Sequence, residues 1–304
     1  MKLKSILFVS VLGLFMNSCS GDDVTTQSTK GTPIKFTANI QSIAPSFGTR
    51  VDNNSSGILT NDFPVGSEIS VGYINMSIPP VLKKTEEGWA YDGLELCYPL
   101  DGSSQSIYAV YPKISKSIQD LIYGSYTSPS DQSQIANYQA ADILTAAATV
   151  STPSETPVAL SFKHLGAKIN VKLTSAVSTY GYKITIKDIL TKTLFSYTSS
   201  SLSLNSNPPS TTKGDIIFGT HTTNAQTAII IPQKISADKV LFEVSNGTST
   251  FTYTTSSEIT FKAGCEYTFN LTFSQTSISP GDITVGGWIS DSAQPNDIAG
   301  SLVQ

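Results

Sequence analysis

The sequence predicts an all-β protein made of two β-sandwich domains in tandem. Three observations predict it. Charged residues make up 14% of the 304-residue chain, against roughly 25% in average soluble domains, while Thr, Ser, Val, Ile and Tyr are abundant and favour pleated, half-buried strands. Apolar runs of strand length recur from end to end, separated by Gly, Asn, Asp and Pro. Helical signals are confined to two short stretches, 115–122 and about 140–148.

The first residues give the address. Lys2 and Lys4 precede the apolar run 6–15, which is too short to span a bilayer as a helix of roughly 20 residues but suits the core of a secretory signal. The run ends in Met16-Asn17-Ser18-Cys19. A small residue directly before a cysteine resembles the lipobox of bacterial lipoproteins, where the thiol is acylated with palmitate and becomes the new N-terminus. Ser20-Gly21-Asp22-Asp23 resembles the surface-export tag of lipoproteins in the Bacteroides group. The alternative is an ordinary signal peptide that happens to end near a cysteine. Residues 1–19 are therefore expected to be a signal ending at lipidated Cys19, and 20–32 a flexible tether.

The mature chain begins its folded part with "PIKFTANI", 33–40. Ile34, Phe36, Ala38 and Ile40 point one way and Lys35, Thr37 and Asn39 the other, the period of a half-buried strand. Residues 41–62 are polar, are broken by Pro45, Gly48 and Gly57, and read as a loop. Further strands are expected at 68–74, 106–111, 158–162, 168–173, 182–189, 228–231, 240–245, 250–254 and 266–273. "STPSETP", 151–157, with two prolines in a polar run, is the expected joint between domains 33–157 and 158–304. "VGSEISVGY" (65–73) and "AGCEYTFNL" (263–271) share a Gly-x-Glu turn before a strand and hint at two similar units.

Catalytic and ligand-binding motifs are missing. His164 and His221 are the two histidines, and neither has clustered ligands nearby in sequence, as a zinc site would need. No G-x-S-x-G elbow, phosphate loop or dinucleotide fingerprint occurs. Glu86 and Glu87 beside Lys83 and Lys84 read as a solvated hairpin tip, and the loop at Asp131-Gln132 gives calcium no specific support. Trp89 and Trp288 read as core aromatics, with a sugar platform the alternative for Trp89. The net charge of −4, without a basic patch, gives no support to nucleic-acid binding. No enzyme, cofactor or metal is expected. Cys97 and Cys265 read as two buried thiols in separate domains, although an exported location permits a disulfide between them.

In order along the chain stand the lipobox, "IKFTANI" followed by Thr49-Arg50, "VGSEISVGYI", "IYAVYP", "VALSFKHLGAKINVKL", "AGCEYTFNLTF" and "ITVGGWI". This series resembles the fimbrillins, pilus subunits of Bacteroides-type bacteria, over nearly the whole mature chain. Each motif is little more than a strand with a turn, so the weight rests on their order and the lipobox together. The resemblance implies two transthyretin-like β-sandwich domains. It also implies export as a lipidated precursor to the outer membrane and cell surface, then cleavage after a basic residue in the loop following the first strand. The cut removes the anchor and first strand, and a C-terminal strand of another subunit fills the vacated groove.

Carried onto this chain, the resemblance places Arg50 before the scissile bond to Val51, and makes Ile34, Phe36, Ala38 and Ile40 the displaced strand. Ile298, Leu302 and Val303 become the candidate donor residues. Arg50 is the sole arginine among 19 basic residues, in the extended, exposed kind of segment that a trypsin-like protease needs; an ordinary loop cation is the alternative reading. The implied partners are copies of the chain or related subunits, the maturation protease, the outer membrane before maturation, and a host surface receptor. The tail departs from the pattern. "ISDSAQPNDIAGSLVQ" holds Pro295, Gly300 and few large apolar residues, which leaves a tip or accessory position open beside a stalk position. Asp291-Ser292-Ala293 also matches an O-glycosylation pattern of these bacteria, at Ser292. The other function left open is an anchored surface lipoprotein that binds host or dietary glycan or protein through its loops.

Overall fold

The computed structural model describes residues 31–41, 62–175, 181–208, 212–222, 225–273 and 278–288. The first half carries β1 (Phe36–Ile40), β2 (Glu68–Tyr73), β3 (Val81–Thr85), β4 (Gly88–Tyr91), β5 (Gln105–Tyr111), α1 (Ile118–Ile122), β6 (Ser125–Thr127), α2 (Ile135–Ala141), β7 (Leu144–Val150) and β8 (Val158–His164). Seven of these strands form one sheet in the order β1-β8-β7-β5-β2-β3-β4. It wraps around a single core in which Ile34, Phe36 and Ile40 meet Phe63, Ile69, Leu82, Ile107 and Phe162, with Trp89 and Tyr91 of β4 packed against it. The two ends of the sheet, β1 and β4, thus share one core. Side-chain alternation gives β5 two buried faces: Ile107 and Ala109 enter this core, while Tyr108 and Val110 enter another on the outer side.

The second half carries β9 (Ala167–Ser175), β10 (Lys183–Thr198), β11 (Ser201–Leu204), β12 (Thr212–Ile217), β13 (Gly219–Thr222), β14 (Ala225–Ile230), β15 (Gln233–Ile235), β16 (Val240–Ser245), β17 (Thr250–Thr254), β18 (Ile259–Phe261), β19 (Cys265–Phe273) and β20 (Ile278–Gly287). A sheet β13-β14-β9-β19-β20 faces a sheet built on β10, with β16, β17 and β12 beside it. Ile169, Val171, Phe269 and Leu271 from one side meet Ile184, Ile186, Phe242 and Val244 from the other in the largest core. This is a sandwich. The far half of β10 leaves it and pairs with β6 and β11; Leu190 and Phe195 of β10, with Leu202 and Leu204 of β11, lie against Tyr108, Val110 and α1. The protein is all-β, with two short helices.

The expected strands are found, several of them longer than expected, and the Glu86-Glu87 tip joins β3 to β4. The two Gly-x-Glu turns share a conformation. Gly66 and Gly264 both adopt positive φ, 92° and 68°, immediately before β2 and β19, a region open mainly to glycine.

Two expectations change. The helix expected near 140–148 is instead α2 followed by β7. Alanine favours helices, but "LTAAATV" runs between β5 and β8 in the sheet and pairs residue by residue with Gln105–Tyr111, and tertiary context overrides propensity. The expected joint at 151–157 connects β7 to β8 within the same sheet. The crossing to the second half comes at Leu165-Gly166, where Gly264 N donates to Gly166 O at 2.7 Å and a Cβ on Gly166 would collide with the Ile229 side chain. Prolines in a polar run mark a turn as readily as a linker.

Candidate functional site

The first strand sits as its alternation predicts. Ile34, Phe36 and Ile40 are 0%, 6% and 1% exposed, Ala38 is half-buried, and Lys35, Thr37 and Asn39 face solvent. The regular strand is shorter than 33–40, because Pro33 makes an isolated antiparallel bridge with Cys97. Along one side β1 runs parallel to β8, Phe36 in register with Val158 and Ile40 with Phe162. Val158 N donates to Lys35 O at 2.8 Å and Gln41 N to Phe162 O at 2.9 Å, closing the ladder at both ends.

The other side is held more sparsely. Ile34 N donates to Leu96 O at 2.8 Å, and Tyr98 N donates to Thr32 O at 3.0 Å. Beyond that point side chains take over from backbone. Trp89 Nε1 donates to Ala38 O at 3.3 Å, and the Tyr91 hydroxyl lies 2.8 Å from Ile34 O and 3.1 Å from Leu96 O. Burial raises the Tyr91 pKa far above the ordinary phenol value, so this hydroxyl stays a donor. Tyr73, whose hydroxyl donates to Cys97 O at 2.8 Å, is pushed up to about 12, first by burial and then by Tyr98.

The floor of this groove is aromatic. Phe63 packs edge-on against Trp89, Tyr111 and Phe162 with centroids 5.3, 5.3 and 5.1 Å away, and Phe36 lies edge-on to Tyr91 at 6.3 Å. Such pairs contribute about 0.5–1.5 kcal/mol each beyond their burial. Trp89 is thus a core aromatic. Phe63, between Asp62 and Pro64, has no alternating period to mark it in the sequence.

Arg50 and Val51 lie outside the described residues, yet both ends of their segment are placed. Ile40 is in register with Phe162 and Phe63 packs on the ring of that same residue, so the described residues on the two sides of that segment meet at one point of the core. Cys19, Ser292, Ile298, Leu302 and Val303 also lie outside the described residues. Cys265 is a free buried thiol, its pKa raised by burial. Cys97 is not a free thiol, so the expectation of two free thiols fails for Cys97.

A second polar cluster joins the two halves. His164, at the end of β8, is buried and lies 2.6 Å from Asp142 through Nδ1. Its ring stacks on Trp288 at 3.9 Å between centroids, and Trp288 packs with Tyr138, Ala141 and Ile229. Lys168 Nζ lies 5.8 Å from the centre of the Trp288 ring. Trp288 therefore caps a small cluster at the seam rather than the main core. Asp142 is far from His164 in sequence, which is why the pair could not be read there. The His221 side chain lies outside the described residues. Among the described residues no group of three or more His, Cys, Asp or Glu could hold a metal ion.

No curated protein matches the chain in sequence. A crystal structure from Bacteroides ovatus, described as a candidate cell adhesion protein, superposes with a TM-score of 0.63 at 18% identity, covering 86% of this chain and 99% of that one. One from Bacteroides uniformis, described likewise, gives 0.57 at 16% identity, covering 86% and 100%. These likenesses establish the fold. In sequence, the family described as fimbrillin-like matches residues 59–288, which begins beyond β1 and Arg50 and runs to Trp288. The chain belongs to the fimbrillin-like family.

Proposed function

We propose that this fimbrillin-like chain is a pilus subunit assembled by strand exchange at the β1 groove. The family is one of structural, non-enzymatic subunits that assemble with other pilus subunits at the cell surface. The finer reading has four steps. The precursor is acylated at Cys19 and held at the outer membrane; a trypsin-like protease cuts between Arg50 and Val51; β1 leaves with the anchor; and a C-terminal strand of another subunit, through Ile298, Leu302 and Val303, takes its place. Assembled fibres then support cell adhesion, with a host surface receptor as partner.

One observation carries this reading. A strand that seals a core is bonded by a full backbone ladder on one side only, and the chain that ties it to the rest of the unit contains the sole arginine. Losing Ile34, Phe36 and Ile40 from the core removes on the order of 5–9 kcal/mol at roughly 1.5–3 kcal/mol per large apolar side chain. That approaches the whole stability of a domain, about 5–15 kcal/mol. An emptied groove also bares unpaired N–H and C=O groups along β8, which a strand supplied by another chain satisfies by β-augmentation.

N-terminal sequencing of the surface-exposed protein, beside palmitate-analogue labelling, tests the sequence of events. The proposal expects a mature start at Val51, labelled precursor that vanishes in Cys19→Ala, and no oligomer ladder from Arg50→Ala. Surface protein that starts at Cys19 and still polymerises would overturn it.

A further inference from the structure

The N-terminal segment enters the fold at one end of the first sheet. Thr32 O accepts from Tyr98 N at 3.0 Å, Pro33 bridges Cys97, and a Cβ on Gly31 would lie 3.7 Å from Leu100 Cδ2. Two loops flank that entry: 74–80, which joins β2 to β3, and 92–104, which joins β4 to β5. The Tyr73 hydroxyl, at the end of β2, donates to Cys97 O at 2.8 Å. Asp92 N donates to Val81 O, at the start of β3, at 2.8 Å. β8 also starts at this end, with Val158 in register with Phe36, and runs away from it toward Leu165-Gly166 and the second half.

These loops carry the two most exposed large apolar side chains among the described residues. Leu100 is 71% exposed and Ile78 69%, and Leu94 beside them is 39% exposed. Single exposed apolar residues are ordinary, but three on adjoining loops around one point mark a surface that meets something apolar. The chain that enters here indicates what. Cys19, the proposed acylation site, stands twelve positions before Gly31, a span of at most about 40 Å. A bilayer that holds the acyl chain is therefore within reach of this end. The same loops hold Asp92, Glu95 and Asp101, all exposed, and no lysine or arginine. Their carboxylates must stay hydrated at the level of the headgroups, and anionic lipid would repel them.

We propose that in the acylated precursor this end of the first half rests on the bilayer, with Ile78, Leu94 and Leu100 in the headgroup boundary. The contact is a second attachment beside the acyl anchor, and one acyl chain alone holds a protein to a membrane only marginally. It also sets the orientation. The second half points outward, and the segment that carries Arg50 begins beyond Ile40, at the end of β1 away from the lipid. The inference rests on acylation at Cys19 and needs neither cleavage nor strand exchange.

The test uses the full acylated chain in phosphatidylcholine vesicles, with a thiol-linked fluorophore at Ile78→Cys, at Leu94→Cys or, as a reference on the β16–β17 turn, at Thr248→Cys. Cys265 is buried and Cys97 is not a free thiol, so the reagent selects the new cysteine. A lipid spin-labelled at its headgroup should quench the probes at 78 and 94 about twofold or more over the probe at 248. Exchanging phosphatidylcholine for phosphatidylglycerol should weaken that quenching, and so should adding Leu100→Ser to the Ile78→Cys chain. Equal quenching of all the probes, in a chain that takes up a palmitate analogue, would overturn this inference alone. A chain that takes up no palmitate analogue would overturn the acylation reading, and this inference with it. Shielding of the probes at 78 and 94 that follows protein concentration and ignores the spin-labelled lipid would assign the surface to a second copy, and would likewise overturn the proposal.

Discussion

The two halves of the molecule bury similar apolar cores but close them in different ways. In the C-terminal sandwich the strands that carry most of the core lie inside their sheets: β9 between β14 and β19, and β10 between β16 and its partners β12 and β11. In the N-terminal half the sealing strand is terminal in its sheet, with a ladder to β8 on one side and Leu96, Trp89 and Tyr91 on the other. The proposed strand exchange draws on this difference: β1 is held by one full ladder, whereas β9 and β10 are each held by ladders on both sides. Pulling out β9 would break two ladders at once, whereas pulling out β1 breaks one ladder and exposes one apolar face.

The largest expected effect separates the halves directly. Phe36→Asp should cost more than the about 3–5 kcal/mol of a large aromatic truncated to alanine, because it also buries an unpaired charge. Hydrogen exchange should show β5 and β8 losing protection while β9 and β19 retain it. Equal loss in both halves would mean that the two cores unfold as one and would remove the contrast.

A smaller effect sharpens the comparison at matched hydroxyls. Tyr91→Phe removes the hydroxyl that bonds Ile34 O beside β1, while Leu96 O keeps its bond from Ile34 N, and Tyr267→Phe removes the hydroxyl that bonds Thr260 O and Lys262 N at 2.9 and 2.8 Å. Each should cost about 1–3 kcal/mol in chemical denaturation. Only Tyr91→Phe should also speed proteolysis next to β1.

Alkali should weaken both halves. Tyr73 and Tyr267 are each raised from 10 to about 12 in the fold, mainly by burial. Between those values the unfolded chain releases protons that the folded chain keeps, so stability is full below pH 10 and falls as pH rises toward 12. Denaturant midpoints measured from pH 9 to 11.5 should decline, and the decline should be shallower in Tyr73→Phe and Tyr267→Phe. A flat profile would show that neither hydroxyl is buried as described.

The smallest effect is at Lys35. It pairs with Glu155 at 2.9 Å across the edge of β1, but both side chains are largely exposed. Lys35→Ala should change stability by no more than about 1 kcal/mol. A larger loss would mean that β1 is held by its rim and not by its apolar face.

Much of this contrast was legible in the residues. The strict alternation of 33–40 announced both the strand and the face it buries, because a half-buried strand leaves a period of two in any sequence. The turn glycines, 66 and 264, were legible for a similarly local reason. Pairing was not. Nothing in "PIKFTANI" says that its ladder is parallel and made with residues 158–162, which are more than a hundred positions away. Nor does an isolated Phe63 show that it is the hub on which Trp89, Tyr111 and Phe162 converge, and the His164–Asp142 contact is likewise a product of the fold. "LTAAATV" misleads because alanine speaks for a helix locally while its neighbours in the sheet decide otherwise.

The central claim is that β1 is a separable part of a folded protein. It is tested most directly by cutting the native precursor after Arg50 with a low dose of trypsin and adding an excess of isotope-labelled peptide spanning residues 31–50. Native mass spectrometry then follows the mass of the complex. The account predicts that the cut strand stays bound at first and is then replaced by the labelled peptide under native conditions, well below the melting temperature, with β9 and β19 remaining protected from exchange. Label that enters only when the whole protein unfolds would contradict it, since β1 would then be as integral as any strand of the C-terminal sandwich.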